Sequence, residues 1–147
     1  ISIFSLVLFL LNRKLDGLVL IFSSTGATIL SELIKIIVSR PRPDPSLITQ
    51  MGIFTKSDSF PSGHVLLYIG IYGYILYLCH TRLKKGLLRA GLVGACALML
   101  TLIGVSRIYL GAHWFSDVLG SYLIGSAWVF AVIYLESKFM KPPSPKH

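Results

Sequence analysis

Four long apolar runs dominate this sequence and restrict what it can fold into. The runs cover residues 15–38, 65–79, 87–105 and 115–135, and polar segments separate them. A helix needs about 20 mostly apolar residues to cross the hydrocarbon core of a bilayer. Only 14% of the residues are charged, whereas about 25% is usual in soluble domains. The sequence therefore predicts an all-α fold, a polytopic transmembrane helix bundle.

A shorter apolar run, residues 1–11, precedes these four. It is too short to span a bilayer, so we interpret it as the second half of a span whose first half is missing. We expect a single, N-terminally truncated transmembrane domain over residues 1–136, followed by a basic tail over residues 137–147. Small residues in the first long run, and Gly91 and Gly94 in the third, predict close contacts between helices.

The basic residues are distributed unequally between the two faces that alternating spans create. Nine of the 14 Lys and Arg residues fall on one side and five on the other. The side with nine holds Arg13, Lys14, Arg82, Lys84, Lys85, Arg89, Lys138, Lys141 and Lys146. Cytoplasmic loops are richer in Lys and Arg. We therefore expect segment 80–89 and the C-terminus to be cytoplasmic, in a multi-pass protein of the cell membrane.

The opposite, extracytoplasmic end carries the unusual polar residues. They are Lys35, the proline-rich connection 39–60, the segment 61–64 and the segment 106–117. Ionisable residues at the ends of apolar spans are costly and usually functional. We therefore predict a functional site at this end. Arg40 could assist phosphate binding there, but we expect it to flank the loop in solvent.

Several of these residues have the chemistry of a phosphate-binding site. Arginine forks match phosphate oxygens, and lysine adds a point charge. The sequence Pro-Ser-Gly-His at 61–64 predicts a helix start, which Ser62 can cap. Backbone N–H groups at a helix start bind anions, and Gly63 lets an oxygen approach the backbone closely. The pattern therefore predicts a phosphate ligand.

Two histidines and one aspartate suggest a reaction. His113 and Asp117 are four residues apart, so a helix would place them on one face, where the carboxylate can fix the tautomer of the imidazole. A purely structural pair is the alternative interpretation. In a hydrolytic role His113 would attack phosphorus, while His64 would protonate the leaving oxygen and then deprotonate water. Few carboxylates lie at this end, so we expect no metal and no other cofactor.

Three short motifs resemble those of the type 2 phosphatidic acid phosphatase superfamily. The first is a lysine followed, after six residues, by Arg-Pro, and it is matched by Lys35 and Arg42. The second is Pro-Ser-Gly-His at 61–64. The third is Ser-Arg, five residues, histidine, three residues and aspartate, and it is matched at 106–117. All three occur in order on one predicted membrane face, which makes the resemblance specific.

The resemblance extends over about residues 15–135 and implies a membrane-embedded, metal-independent phosphatase. It implies a histidine nucleophile at His113, its partner Asp117 and an acid–base histidine at His64. The phosphate-binding residues would be Lys35, Arg42, Ser62, Gly63 and Arg107. Membrane members usually have six spans, so the first span and a half would be absent here. The implied substrate is a lipid phosphate or diphosphate, such as phosphatidic acid, phosphatidylglycerophosphate or undecaprenyl diphosphate, and the domain 1–136 would be catalytic.

Two other functions stay open at this point. A membrane phosphatase for a soluble phosphate ester would use the same site, and a non-catalytic protein that binds or transports anionic lipids would need only the anion site. Nucleic-acid binding is not expected, because the net charge of +8 is divided among short clusters without a basic face. Cys79 and Cys96 lie in apolar runs and are expected to be buried thiols.

Overall fold

The computed structural model describes residues 2–44 and 58–139, and within these ranges the chain forms five helices and no strand. The helices are α1 (Ser2–Leu10), α2 (Lys14–Val38), α3 (Gly63–Arg82), α4 (Leu87–Tyr109) and α5 (Phe115–Phe139). By length and composition, α2 to α5 can each cross a membrane. The predicted all-α transmembrane bundle is confirmed.

The helices run further than the apolar runs that predicted them. Both α4 and α5 end four residues beyond the predicted spans, and the added turns carry the polar residues Arg107 and Glu136. Residues 45–57 of the predicted connection and residues 140–147 of the predicted tail lie outside the described part of the chain. We call the end where α2 and α4 finish and α3 and α5 begin the site end, and the opposite end the far end.

Small residues bring α2 and α3 together in the middle of the bundle. α3 widens at Ile69–Gly73 into a π-helical turn, and the Ser23 hydroxyl of α2 donates to the Gly70 carbonyl at 2.8 Å. A Cβ at Gly70 would lie 2.9 Å from the Ser23 carbonyl oxygen, so glycine is needed there. Gly91 and Gly94 behave differently, because no described residue lies within 4 Å of a Cβ built at either. The prediction that these two pack against a helix is wrong.

Two clusters of buried apolar side chains fill the bundle. The cluster towards the site end contains Val65, Ile69, Ile103, Val118 and Val129. The cluster towards the far end contains Val19, Leu20, Ile71, Tyr74, Leu78 and Val132. Cys79 and Cys96 are buried free thiols, as predicted. α4 is the least buried of the four candidate spans, so most of its surface is not covered by the described residues.

A network of paired charges joins α2, α3 and α5 at the far end. Arg82 Nη2 lies 3.2 Å from Asp16 Oδ1 and 3.6 Å from Glu136 Oε1. Arg13 Nε lies 2.6 Å from Asp16 Oδ2, and the Tyr74 hydroxyl donates to Glu136 Oε2 at 3.0 Å. Both carboxylates are buried, and buried charges persist when they are paired and hydrogen-bonded. The network therefore fastens three helices at this end.

Candidate active site

The last turns of α2 bring Lys35 over the start of α3. A Cβ at Gly63 would lie 3.6 Å from Lys35 Nζ and 3.2 Å from Ser31 Oγ. Lys35 Nζ also lies 2.7 Å from Glu32 Oε1, but the Glu32 side chain is 60% exposed and that of Lys35 only 12%. Solvent screens the exposed carboxylate, so the ammonium group keeps a positive field at the helix start.

Polar atoms without partners lie at the first turn of α3. Ser62 occupies the N-cap position, yet its side chain makes no capping hydrogen bond, so the expected cap is not formed. The Ser62 N–H donates instead to Ser121 Oγ at 2.8 Å, which donates to the Asp117 carbonyl at 2.6 Å. The hydroxyls of Ser62 and Ser31 are buried without a hydrogen-bond partner among the described residues. Such orphaned hydroxyls are uncommon, and they suit a polar ligand.

Two arginines are held by hydrogen bonds near the end of α4, Arg42 to the segment that joins α4 to α5 and Arg107 to its neighbour within α4. Arg42 Nη1 donates to the Ala112 carbonyl at 2.8 Å, and Arg107 Nη2 donates to Ser106 Oγ at 2.9 Å. Burial lowers the pKa of Arg42 from its ordinary value, an effect that nearby carboxylates oppose. A guanidinium still keeps its proton at neutral pH. Both side chains are half-buried, and their charges act on the ring of His64 in the first turn of α3.

A backbone carbonyl holds the buried ring of His113. His113 Nδ1 lies 2.7 Å from the Ser59 carbonyl oxygen, which can only accept, so Nδ1 carries the hydrogen. Nε2 of the neutral ring then keeps a lone pair for nucleophilic attack. Burial lowers the pKa of His113 to about 4, with the Ser59 carbonyl and Asp117 opposing and Arg42 and Lys35 reinforcing the shift. The ring is therefore neutral near pH 7.

Asp117 does not bond to His113 as their spacing predicted. Asp117 Oδ2 lies 3.8 Å from His113 Nδ1, which is too long for a hydrogen bond. The carboxylate accepts instead from Arg40 Nη1 at 2.6 Å, from the Trp114 N–H at 2.9 Å and from the Ser59 hydroxyl. The physical reason is that α5 begins two residues after His113, so the two residues do not share a helical face.

Ser59 was not identified from the sequence, and Arg40 was considered only as an aid to phosphate binding and not as a partner of Asp117. Arg40 was expected in solvent, but its guanidinium binds a fully buried carboxylate and only 36% of its side chain is exposed. That expectation is wrong. Ser59 has no motif spacing to Asp117, so no pattern indicates it.

His64 lies exposed in the first turn of α3. The positive charges of Arg107, Lys35 and Arg42 act on its ring, so all four side chains border the same space. The site end thus gathers the predicted histidines, the predicted cations and the Ser62–Gly63 turn. Across residues 2–44 and 58–139, no group of three His, Cys, Asp or Glu side chains is arranged to hold a metal ion.

Comparison with known proteins gives relatives of one kind. Phosphatidylglycerophosphatase B of Bacillus subtilis (strain 168) is 29% identical over 141 residues, which are 91% of this chain and 64% of that protein. Undecaprenyl-diphosphatase of Sulfolobus acidocaldarius is 30% identical over 136 residues, 90% of this chain and 60% of that protein. The chain thus spans less than two thirds of the length of these two curated relatives.

A solved structure and a family profile agree with these relatives. The crystal structure described as the first transmembrane PAP2 type phosphatidylglycerolphosphate phosphatase from Bacillus subtilis has a TM-score of 0.80 to this chain. It is 27% identical, and the match covers 95% of this chain and 68% of that one. The profile of the PAP2 superfamily matches residues 16–141, a range that includes all three motifs. This membrane protein therefore belongs to the PAP2 superfamily, as the motifs predicted.

Proposed function

We propose that this protein hydrolyses a lipid phosphate or diphosphate, without a metal, through a phosphohistidine intermediate at His113. The observation that carries the proposal is the hydrogen bond that determines the tautomer of the His113 ring. Its Nδ1 is bonded to the Ser59 carbonyl at 2.7 Å, so the lone pair of Nε2 is available at the cationic end of the bundle. The names of the two curated relatives, both phosphatases of lipid phosphates, support the same reaction class.

In this proposal the phosphate group occupies the space in front of α3. A phosphate monoester carries close to two negative charges near neutral pH. Lys35, Arg42 and Arg107 would bind its oxygens, and arginine can do so with two parallel hydrogen bonds. The buried hydroxyl of Ser62 would gain the partner that it lacks, and Gly63 would leave room for an oxygen beside the Lys35 ammonium.

The first chemical step forms a bond between His113 Nε2 and phosphorus. The bond from phosphorus to the leaving oxygen breaks, and His64, in its protonated form, gives that oxygen a proton. Positive charge develops on the His113 ring as it is phosphorylated. The carboxylate of Asp117, 3.8 Å from Nδ1, stabilises this charge through space rather than by a hydrogen bond.

The second step releases the enzyme. His64, now neutral, takes a proton from water as the water oxygen attacks phosphorus. The bond between phosphorus and Nε2 breaks, and its electron pair returns to His113. Inorganic phosphate leaves, and both histidines are back in their starting protonation states. Splitting hydrolysis into two displacements lowers the barrier of each.

An apolar groove supports a substrate with a hydrocarbon chain. The groove lies between α4 and α5, has a volume of about 350 Å³, and is lined by residues from Leu100 to Ile108 of α4 and by Phe115 of α5. Ile108 follows Arg107, and Phe115 lies two residues after His113, so the groove starts beside the cationic site. Two turns of α4 give it a length of about 12 Å at 1.5 Å per residue. A lipid chain would lie there while its headgroup reaches the histidines.

The charge bias of the sequence supports an orientation in the cell membrane. We propose that the site end faces the extracytoplasmic side and that segment 80–89 and the C-terminus face the cytoplasm, because Lys and Arg are concentrated at the far end. The domain over residues 1–136 would then be the catalytic unit, with the tail 137–147 on the cytoplasmic side.

A substrate panel tests the proposal. The purified protein in detergent is given phosphatidic acid, phosphatidylglycerophosphate, undecaprenyl diphosphate and p-nitrophenyl phosphate, each with and without EDTA. We expect phosphate release from at least one lipid, unchanged by EDTA. We also expect an acid-labile ³²P label on wild-type protein that His113→Ala does not acquire.

Three outcomes would contradict the proposal, and each would favour a different alternative. Release from the soluble ester in preference to every lipid would indicate a phosphatase for soluble esters. Binding of anionic lipids with no release from any substrate would indicate a non-catalytic protein. Loss of activity in EDTA, restored by a divalent cation, would contradict the metal-independent mechanism.

A further inference from the structure

Arg40 occupies a place in the site that the three motifs do not explain. Its Nη1 lies 2.6 Å from Asp117 Oδ1 and donates to Ser116 Oγ at 2.8 Å. Its guanidinium carbon lies 5.8 Å from the centre of the Trp114 ring. The carboxylate that it binds is fully buried, whereas the Arg40 side chain is 36% exposed, so the ion pair is partly desolvated.

The same arginine is tied to the group that holds His113. The Ser59 N–H donates to the Arg40 carbonyl at 2.8 Å, and the Ser59 hydroxyl donates to Asp117. The Ser59 carbonyl then accepts from His113 Nδ1 at 2.7 Å. The backbone of residue 40 and the Asp117 carboxylate therefore hold Ser59 from two sides, and Ser59 orients the histidine. The Arg40 side chain acts on Ser59 through Asp117.

We propose that Arg40 is a positioning residue for His113. By binding Asp117 it keeps that carboxylate away from Nδ1 and keeps Ser59 where its carbonyl accepts the Nδ1 hydrogen. It has a second effect, because its charge offsets the negative charge that Asp117 presents to the ring. The ring is then both fixed in direction and kept unprotonated, which a nucleophile requires.

The charges around His113 determine whether loss of the Arg40 charge raises or lowers the pKa of His113. Asp117 stabilises the protonated ring, whereas Arg42 and Lys35 oppose protonation. Removing the positive charge of Arg40 leaves the negative charge of Asp117 less compensated, and it frees the carboxylate to move towards His113 Nδ1. Either change favours the imidazolium, so the pKa of His113 should rise. Loss of a phosphate-binding cation such as Arg42 should raise the same pKa, but it should raise KM as well. A raised pKa with an unchanged KM is therefore what identifies a positioning residue.

Kinetics of Arg40→Gln distinguish these roles, and this part of the test rests on the proposed function. We expect kcat to fall about tenfold with KM within about twofold of wild type, since remote positioning acts on orientation rather than on binding. The acidic limb of kcat/KM should move about one pH unit upward. Ser116→Ala, which removes the other bond of Arg40, is the matched control and should behave as wild type. Arg42→Gln should show the contrasting pattern, a raised KM.

A double variant tests whether Arg40 acts through Asp117. If it does, adding Arg40→Gln to Asp117→Asn should not move the acidic limb any further. Arg40→Lys keeps the positive charge, so the acidic limb of its kcat/KM profile should lie at the wild-type pH. Its kcat should lie between the wild-type and Arg40→Gln values. This variant also covers the case in which Arg40→Gln does not fold, because a wild-type kcat for Arg40→Lys would contradict the positioning role.

A spectroscopic readout separates failure of this inference from failure of the proposed function. Ring ¹⁵N shifts of histidine-labelled protein report the protonation of His113 without any turnover, and His113→Gln identifies its signal. We expect the ring to protonate at higher pH in Arg40→Gln than in wild type. An unchanged midpoint would overturn the inference. So would an Arg40→Gln variant with a raised KM, weaker inhibition by orthovanadate and an unmoved acidic limb. Wild-type protein without turnover would instead contradict the proposed function and leave this titration to decide on Arg40.

Discussion

The two ends of the bundle both carry buried or half-buried charge, but they use it differently. At the far end Arg82 lies between Asp16 and Glu136, so the charges satisfy one another. At the site end Arg107 donates to a neutral hydroxyl, that of Ser106, and Ser62 Oγ has no partner among the described residues. The site end also contains ion pairs, those of Arg40 with Asp117 and of Lys35 with the exposed Glu32, so the contrast concerns Arg107. A cation held by a neutral hydroxyl remains available to an anion, whereas a cation held between two buried carboxylates fastens helices.

Loss of the proposed nucleophile should affect the site end and leave the far end unchanged. His113→Ala should lower phosphate release by about 10³-fold or more, because the covalent catalysis proposed above depends on this ring. Its helix content and elution volume in detergent should match wild type, since the far-end network is untouched. Phosphate release and circular dichroism measure the two properties. A variant that retained wild-type turnover would remove His113 from the mechanism.

Loss of a far-end arginine should lower the stability of the protein and leave substrate binding unchanged. Arg82→Ala leaves Asp16 and Glu136 buried with less compensation, which typically costs about 3–5 kcal/mol of folding free energy. We expect a lower thermal unfolding midpoint in detergent and, in the protein that stays folded, an unchanged KM. Lys85→Ala is the control, because Lys85 is exposed. An Arg82→Ala protein as stable as this control would contradict the fastening role.

A charge-conserving substitution at Arg107 tests whether the site end needs a planar guanidinium group in addition to a positive charge. Arg107→Lys keeps the positive charge but loses the planar fork that binds two oxygens. We expect kcat/KM to fall about tenfold to a hundredfold, with the unfolding midpoint within about a degree of wild type. Steady-state kinetics with the best lipid substrate provide the measurement. Wild-type efficiency in this variant would show that a point charge is sufficient at this position.

The pH dependence gives the smallest of these expected effects. Burial lowers the pKa of His113 from its ordinary value to about 4, so the nucleophile stays unprotonated until the pH falls to that range. We expect the acidic limb of kcat/KM that His113 causes to lie near this value and not near 6.5. The second ionisation of the substrate phosphate also titrates in acid, and a diphosphate with a different ionisation serves as the control. A limb near 6.5 with both substrates would contradict a buried, neutral His113.

The bundle could be predicted from the sequence because membrane spans are a property of composition. About 20 apolar residues in a row leave few alternatives in water or lipid, and α2 to α5 lie where the runs predicted them. The motifs likewise identified side chains whose positions near helix ends bring them together. Both successes depend on information that is local in the chain.

The hydrogen bonds within the site depend on where separate segments meet, and they could not be predicted. The partner of His113 is a backbone carbonyl 54 residues away, and a carbonyl has no residue type for a pattern to reveal. The spacing of His113 and Asp117 suggested a helical pair, but the helix starts between them. Gly91 and Gly94 have the composition of a packing surface but point to open space, because a small residue does not specify a neighbour.

The π-helical turn at Ile69–Gly73 sets the axial offset between two of the helices that build the site. Its wide turn presents the Gly70 carbonyl to the Ser23 hydroxyl, which locks α2 against α3 near mid-membrane. A slip of α2 by one residue would carry Lys35 about 1.5 Å along the helix axis. Misplacement of a catalytic group by about 1 Å can cost a hundredfold in rate. A hydrogen bond in the interior of the bundle thus helps to fix the position of the Lys35 ammonium group at the site end.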